Sequence, residues 1–200
     1  MDKDRIGSVE FLLKEYEESY NHMRHYDNSV VALIKFIFSF NLGLLSACLA
    51  IYNYFRDQPL MVIKPLGYIL VMGFAIGIIF LCLCTRNRVY FVIVARHLNR
   101  LRKYFSEKIG EEFSFNEMYT NPEYPEYFNF FSTYSIIIYL ISIFNAILIS
   151  VGVNLIYYGF LKLHMWLFLA IIIIQLFFVI VYLKRKEGKN ADEAVHRHKS

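Results

Sequence analysis

Four long stretches without a charged residue constrain this chain more than any other feature of its sequence. They cover residues 36–55, 65–85, 127–161 and 163–183. An α-helix needs about 20 apolar residues to cross the ~30 Å of hydrocarbon in a bilayer. Lipid-exposed loops and open sheet edges cannot cross it, because their backbone polar groups would lack partners. The pattern therefore predicts an all-α integral membrane protein, with a transmembrane domain at 30–183 and spans at about 30–55, 65–85, 133–158 and 163–183.

The distribution of Lys and Arg predicts the orientation of these spans. Residues 1–29, 85–132 and 184–200 hold 17 of the 21 Lys and Arg residues, and the two remaining loops hold three. Because cytoplasmic loops carry an excess of these residues, both termini and the central segment are predicted to be cytoplasmic. The first ten residues contain no apolar signal-peptide core, so the first span is expected to serve as the insertion signal.

Two amphipathic helices are predicted to extend the first two spans into the cytoplasm. Within the N-terminal segment 1–29, apolar residues recur at helical spacing over 8–27, opposite a Glu-rich face. Residues 86–109 show a similar pattern, with Tyr90, Ile93 and Leu98 among the apolar positions. An aromatic linker at 110–132 and a polar, partly disordered cytoplasmic tail at 184–200 complete the predicted organisation.

Polar residues at helical spacing run along the first and third spans. Polar groups in hydrocarbon are costly and turn towards a bundle interior or towards water. One interpretation is that both stripes line a water-filled pore, and the other is that they form hydrogen bonds between packed helices. The candidate pore-lining residues are Lys35, Ser39, Ser46 and Asn53 in the first span, and Ser142 and Asn145 in the third.

Lys35 is the one ionisable side chain well placed inside a predicted span. Its long stem allows the ammonium to reach the headgroups, which would make it a snorkelling residue without a further role. The alternative is a ring of Lys35 side chains from several subunits around a pore, and such a ring would favour anions. In the second span, Gly73 and Gly77 form a small-xxx-small motif, which predicts close packing of two helix backbones.

A cluster of basic residues follows the second span and forms the candidate ligand-binding site. Its members are Arg86, Arg88, Arg96, Arg100, Arg102 and Lys103. Charge-assisted hydrogen bonds from such residues bind phosphate groups and anionic lipid headgroups. Two other interpretations stay open: the charges serve only as the orientation signal, or they pair with the Glu-rich face of residues 10–18.

No motif in the sequence favours catalysis or a cofactor. There is no Gly-rich phosphate loop, no H-E-x-x-H motif and no convincing Ser/His/Asp set. The cysteines, Cys48, Cys82 and Cys84, fall inside apolar runs and are interpreted as small buried hydrophobic residues. We therefore expect a protein that is not an enzyme and that uses neither a metal nor a cofactor.

The segment LLKEYEESYNHMRHYDN at 12–28, followed by NLGLL at 41–45, resembles small bacterial membrane proteins of the RipA-like oligomeric type. It is also similar to transmembrane effectors of anti-phage systems, such as the Hailong effector that partners a nucleotidyltransferase. The resemblance implies a homo-oligomer in the bacterial inner membrane, opened by a nucleotide second messenger from that partner enzyme, which depolarises the infected cell. It assigns no ligand-binding residue, and no binding of duplex nucleic acid is expected.

Three functions are therefore considered. The leading prediction is an oligomeric, ligand-gated pore that depolarises the membrane in anti-phage defence. The second is a non-conducting membrane scaffold that docks a cytoplasmic partner through the helices at 8–27 and 86–109. The third is a small transporter or a lipid-binding protein, although the lack of buried acidic residues argues against a coupled pump.

Overall fold

The computed structural model describes residues 3–109, 121–157 and 165–197, with side chains described over 9–107, 121–157 and 165–188. In this part of the chain every regular element is an α-helix and no strand occurs. The helices are α1 (Lys3–Tyr54), α2 (Pro59–Ile109), α3 (Thr133–Tyr157) and α4 (Met165–Arg197). Each is long and apolar enough to cross a membrane. The predicted all-α fold is thereby confirmed, and each of the four predicted spans falls on a helix that is able to cross a membrane.

The helix bounds differ from the sequence prediction in two places. α2 begins at Pro59 and contains Pro65, whereas the prediction placed the start of the second span after Pro65. Pro59 has the favourable first position of a helix, where its missing N–H costs nothing. α4 continues to Arg197, so the predicted tail is helical over residues 184–197. Much of the predicted aromatic linker, residues 110–120, lies outside the described residues.

The chain divides into two compact units, and three of the four helices have residues in both of them. The apolar unit comprises Val31–Thr85 and Phe128–Arg185, and the charged unit comprises Met1–Val30, Arg86–Tyr127 and Lys186–Ser200. α1, α2 and α4 each have residues in both units, whereas α3 belongs to the apolar unit alone. The predicted pore-lining residues all fall in the apolar unit, and the predicted ligand-binding residues all fall in the charged unit.

α3 is the most enclosed helix of the apolar unit. In its most apolar 18-residue window 44% of the residues are buried, compared with 11% in the corresponding window of α1. A core cluster joins α1, α2 and α3 and consists of Cys48, Leu66, Leu70 and Leu148. Because lipid tails are as apolar as these side chains, van der Waals packing holds such helices together, with little hydrophobic driving force. Cys84 is buried as the sequence predicted, whereas Cys82 is exposed on the protomer.

The charged unit has its own buried face on α2. Val89, Val92, Leu98 and Leu101 are buried there, and Tyr127, from the turn at 121–127 within the predicted linker, is fully buried. The apolar face predicted from the sequence was only partly right, because two of its members are exposed. Apolar residues occur on several adjacent faces of α2, so their spacing did not identify a single buried face. Packing against other segments of the charged unit decides which face is buried.

Tyr90 and Ile93 are those exposed members, at 39% and 45%. Tyr90 nevertheless stacks on Tyr26 of α1, with ring centroids 5.7 Å apart. Beside this stack, Asn87 Nδ2 donates a hydrogen bond of 2.8 Å to the backbone oxygen of Tyr26. α1 and α2 are therefore joined within the charged unit by an aromatic contact and a polar contact.

Candidate functional site

The polar residues of the third span lie inside the apolar unit. Ser142 and Asn145 of α3 are completely buried. Asn145 Nδ2 donates a 3.0 Å hydrogen bond to Gln175 Oε1 of α4. Gln175 Nε2 in turn donates to the backbone oxygens of Ile171 at 3.2 Å and Ser142 at 3.5 Å. The contacts of Gln175 with Asn145 and Ser142 join α4 to α3, which is the helix-to-helix bonding that the sequence left open as the alternative to pore lining.

The position of Asn145 also explains why the residue opposite it on α2, Gly77, has no side chain. A β-carbon added at Gly77 would overlap the Asn145 amide, lying 2.8 Å from its Cγ and 3.2 Å from its Nδ2. At Gly73 an added β-carbon would overlap the Leu44 side chain of α1. The two glycines of the small-xxx-small motif therefore lie against two different helices of the same protomer, α3 and α1.

A second close approach of helices involves glycines that the sequence reading did not single out together. A β-carbon at Gly67 of α2 would lie 2.7 Å from the backbone oxygen of Gly152 in α3, and one at Gly152 would lie 2.9 Å from the oxygen of Gly67. Only glycine at both positions allows the two backbones to touch. Gly67 lies six residues before Gly73, which is about 1.7 turns, so the small-xxx-small spacing did not mark it.

Further buried polar residues lie outside the predicted pore-lining set. Asn41 of α1 and Ser150 and Asn154 of α3 are almost fully buried. Asn154 Nδ2 donates to the Ser150 backbone oxygen at 3.1 Å. Within the described residues, the side-chain oxygens of all three have no hydrogen-bond partner. Ser150 and Asn154 are one helical turn apart, so their spacing could have marked a second polar row on the third span.

The polar stripe of the first span has the opposite environment. Lys35, Ser39, Ser46 and Asn53 share one face of α1, and each is exposed on the protomer. Gly43 lies on the same face, and a β-carbon added there would meet no atom within 4 Å among the described residues. The six predicted pore-lining residues thus form two separate groups, four on the outer surface of the apolar unit and two in its interior.

Arginines of the candidate ligand site hold a turn of the charged unit in place. Arg88 donates to the backbone oxygens of Tyr127 at 3.3 Å and Glu126 at 2.7 Å. Arg96 donates to the oxygen of Pro125 at 3.1 Å and forms an ion pair with Glu187 of α4. Its guanidinium also lies over the ring of Tyr127, 4.8 Å from the centroid. These two arginines therefore have internal partners, most of them backbone carbonyls.

Asn99 and Arg102 belong to the same internal network. Asn99 Nδ2 donates to the backbone oxygens of Asn121 at 3.0 Å and Tyr124 at 2.9 Å. Arg102 donates to Asn99 Oδ1 at 3.1 Å and to the Tyr16 hydroxyl of α1 at 3.2 Å. Asn99 was missed in the sequence, because a lone Asn on a predicted helix gives no signal of the turn that it contacts.

The remaining three basic residues of the cluster are exposed. Arg86 contacts Tyr90 through a 3.2 Å hydrogen bond, and Arg100 and Lys103 are exposed. A contact with the Glu-rich face of α1 is made by His97, whose Nε2 lies 3.2 Å from Glu15 Oε1. The exposed pair Arg100 and Lys103, one turn apart on α2, is thus open to an external anion.

No protein-family model, curated protein or solved structure matches this chain. The resemblance to RipA-like proteins and to anti-phage effectors therefore stays a prediction. Over the described residues, no three His, Cys, Asp or Glu side chains lie together as a metal ion would require. The expectation that the protein is not an enzyme stays a prediction as well.

Proposed function

We propose that this protein is a homo-oligomeric membrane pore in the bacterial inner membrane, with α1 of each copy facing a central water path. The observation that carries the proposal is the exposure of Lys35, Ser39, Ser46 and Asn53 on one face of a membrane-spanning helix. Hydrocarbon offers these groups no hydrogen-bond partner, so each would be costly if it faced lipid. A ring of copies with this face inward gives them water instead.

The buried polar residues support the same arrangement indirectly. Ser142 and Asn145 are enclosed within one protomer, and Asn145 is bonded to Gln175. These two residues thus lie among helix contacts inside the apolar unit, which favours the outer face of α1 as the place where a path forms. In this proposal Ser142 and Asn145 stabilise the wall of the pore rather than line it.

Gating by an anionic ligand is the second part of the proposal. Arg100 and Lys103 are exposed on α2, within the predicted cytoplasmic part. Their neighbours Arg96 and Arg102 hold the turn at 121–127 and α1 through hydrogen bonds. A nucleotide second messenger bound at the exposed pair would therefore act on a network that joins several elements of the charged unit. Release of ions through the opened path would depolarise a phage-infected cell.

The test is the ion conductance of the purified protein in a planar bilayer, with and without lysate from phage-infected cells. Conductance that arises only with the infected lysate is the expected result. A double variant Ser39→Leu with Ser46→Leu should lose this conductance, because the path loses its polar lining. A matched double variant at exposed alanines of other helices, Ala75→Leu with Ala170→Leu, should conduct like the wild type.

A non-conducting scaffold is the second candidate function, and one observation favours it. Val9, Leu13 and Tyr20 on α1 are exposed at 50%, 55% and 40%, and they share a face of the helix in the charged unit. Exposed apolar side chains of this kind suit the docking of a partner protein. Two results together would select this candidate. The bilayer would show no current with either lysate after verified insertion, and cells carrying Leu13→Glu would lose their protection against phage.

A further inference from the structure

The apolar unit has a strongly one-sided charge. Residues 31–85 and 128–185 contain six Lys and Arg residues but a single acidic residue, Asp57. Asp57 directly follows Arg56 at the end of the first span, and both are exposed. The potential of this unit is therefore positive, which attracts anions and repels cations.

Lys35 is the charged member of the exposed α1 stripe. The other three predicted lining residues, Ser39, Ser46 and Asn53, are neutral. Hydroxyl and amide groups offer both donors and acceptors, so they can solvate an ion of either sign, whereas an ammonium offers donors only. The sign of the preferred ion is thus decided at Lys35, about one turn before Ser39 on the same face.

We propose that the path selects small monovalent inorganic anions such as chloride, and that Lys35 determines this selectivity. The inference rests on the proposed pore function and adds the class of ion that it conducts. One lysine about 6 Å from an ion in a water-like medium changes the ion's local concentration by roughly threefold. Two or more lysines in a ring would change it by about tenfold or more, in opposite directions for chloride and potassium.

The experiment measures the reversal potential across a planar bilayer in a KCl gradient, with the full-length protein and infected-cell lysate. For the wild type it should lie near the equilibrium potential of chloride. Lys35→Arg should preserve this value, Lys35→Gln should move it towards zero, and Lys35→Glu should move it towards the potassium value. Lys184→Glu, a charge reversal at an exposed residue of α4 off the stripe, should move it far less than Lys35→Glu does.

The outcomes separate this inference from the proposed function. Current without preference for chloride would overturn the anion selectivity and leave the pore intact. Chloride selectivity that persists in Lys35→Glu would overturn the role of Lys35 and favour snorkelling of this side chain. Absence of current from inserted wild-type protein would overturn the pore and, with it, the selectivity. Elution of each variant at the wild-type volume in detergent excludes misfolding as the cause.

Discussion

Replacement of Gly77 by alanine should destabilise the protein, although the same change in an exposed helix normally stabilises it. The β-carbon of the new alanine would overlap the Asn145 amide. Asn145 would have to turn away, and its 3.0 Å hydrogen bond to Gln175 would break. The contact lies between helices that cross the membrane, so water does not replace the lost partner.

The expected size of the effect follows from three contributions. Overpacking of a filled site typically costs about 1–3 kcal/mol, and loss of an interhelical hydrogen bond in a membrane protein adds about 0.6 kcal/mol. The higher helix propensity of Ala relative to Gly offsets about 1 kcal/mol of this cost. The net loss in the free energy of unfolding for Gly77→Ala should therefore be about 2 kcal/mol.

Gly43→Ala is the matched control. It makes the same substitution in a membrane-spanning helix, at a position where an added β-carbon meets no described atom within 4 Å. Its free energy of unfolding should equal or slightly exceed that of the wild type. Both variants can be compared by denaturant unfolding in mixed micelles, followed by far-ultraviolet circular dichroism.

A double-mutant cycle tests the cause of the effect. Asn145→Ala removes the side chain that blocks the new methyl group, so Gly77→Ala should cost much less in that background. If Gly77→Ala is as stable as Gly43→Ala, or if its cost is unchanged in the Asn145→Ala background, then the packing of Asn145 against Gly77 is not what requires glycine here.

Two further predictions concern the polar contacts of each unit. Gln175→Leu should lower the free energy of unfolding by about 1 kcal/mol, since Asn145 loses its partner on α4; an unchanged unfolding curve would contradict this. Arg96→Gln should expose the turn at 121–127 to limited proteolysis, because it removes the ion pair with Glu187 and weakens the bond to the turn. The exposed neighbour Arg100, changed to Gln, should leave the cleavage rate at the wild-type value.

The sequence by itself determined the number and type of the membrane-spanning elements. A charge-free stretch of about 20 residues has one stable form in hydrocarbon, a helix whose backbone groups bond within the segment. The third span was accordingly predicted at 133–158, and the helix lies at Thr133–Tyr157. Helical periodicity also determined that Lys35, Ser39, Ser46 and Asn53 share a face, since residues three and four apart are neighbours on any α-helix.

Only the tertiary structure decided which way each polar stripe faces. The stripes of α1 and α3 look alike in sequence, yet Ser39 is exposed and Ser142 is fully buried. α3 contacts α1, α2 and α4 within the apolar unit, whereas α1 lies at its edge. Helical periodicity shows which residues share a face of the helix. It does not show whether that face meets another helix, lipid or water.

The same limit applies to the basic cluster. Arg88 and Arg96 read as anion-binding residues in the sequence, but they donate to carbonyls of Tyr127 and Pro125. A guanidinium can donate to a phosphate or to a row of backbone oxygens, because both are acceptors. The turn that supplies those oxygens is far from both arginines along the chain, so only the folded arrangement decided what these side chains bind.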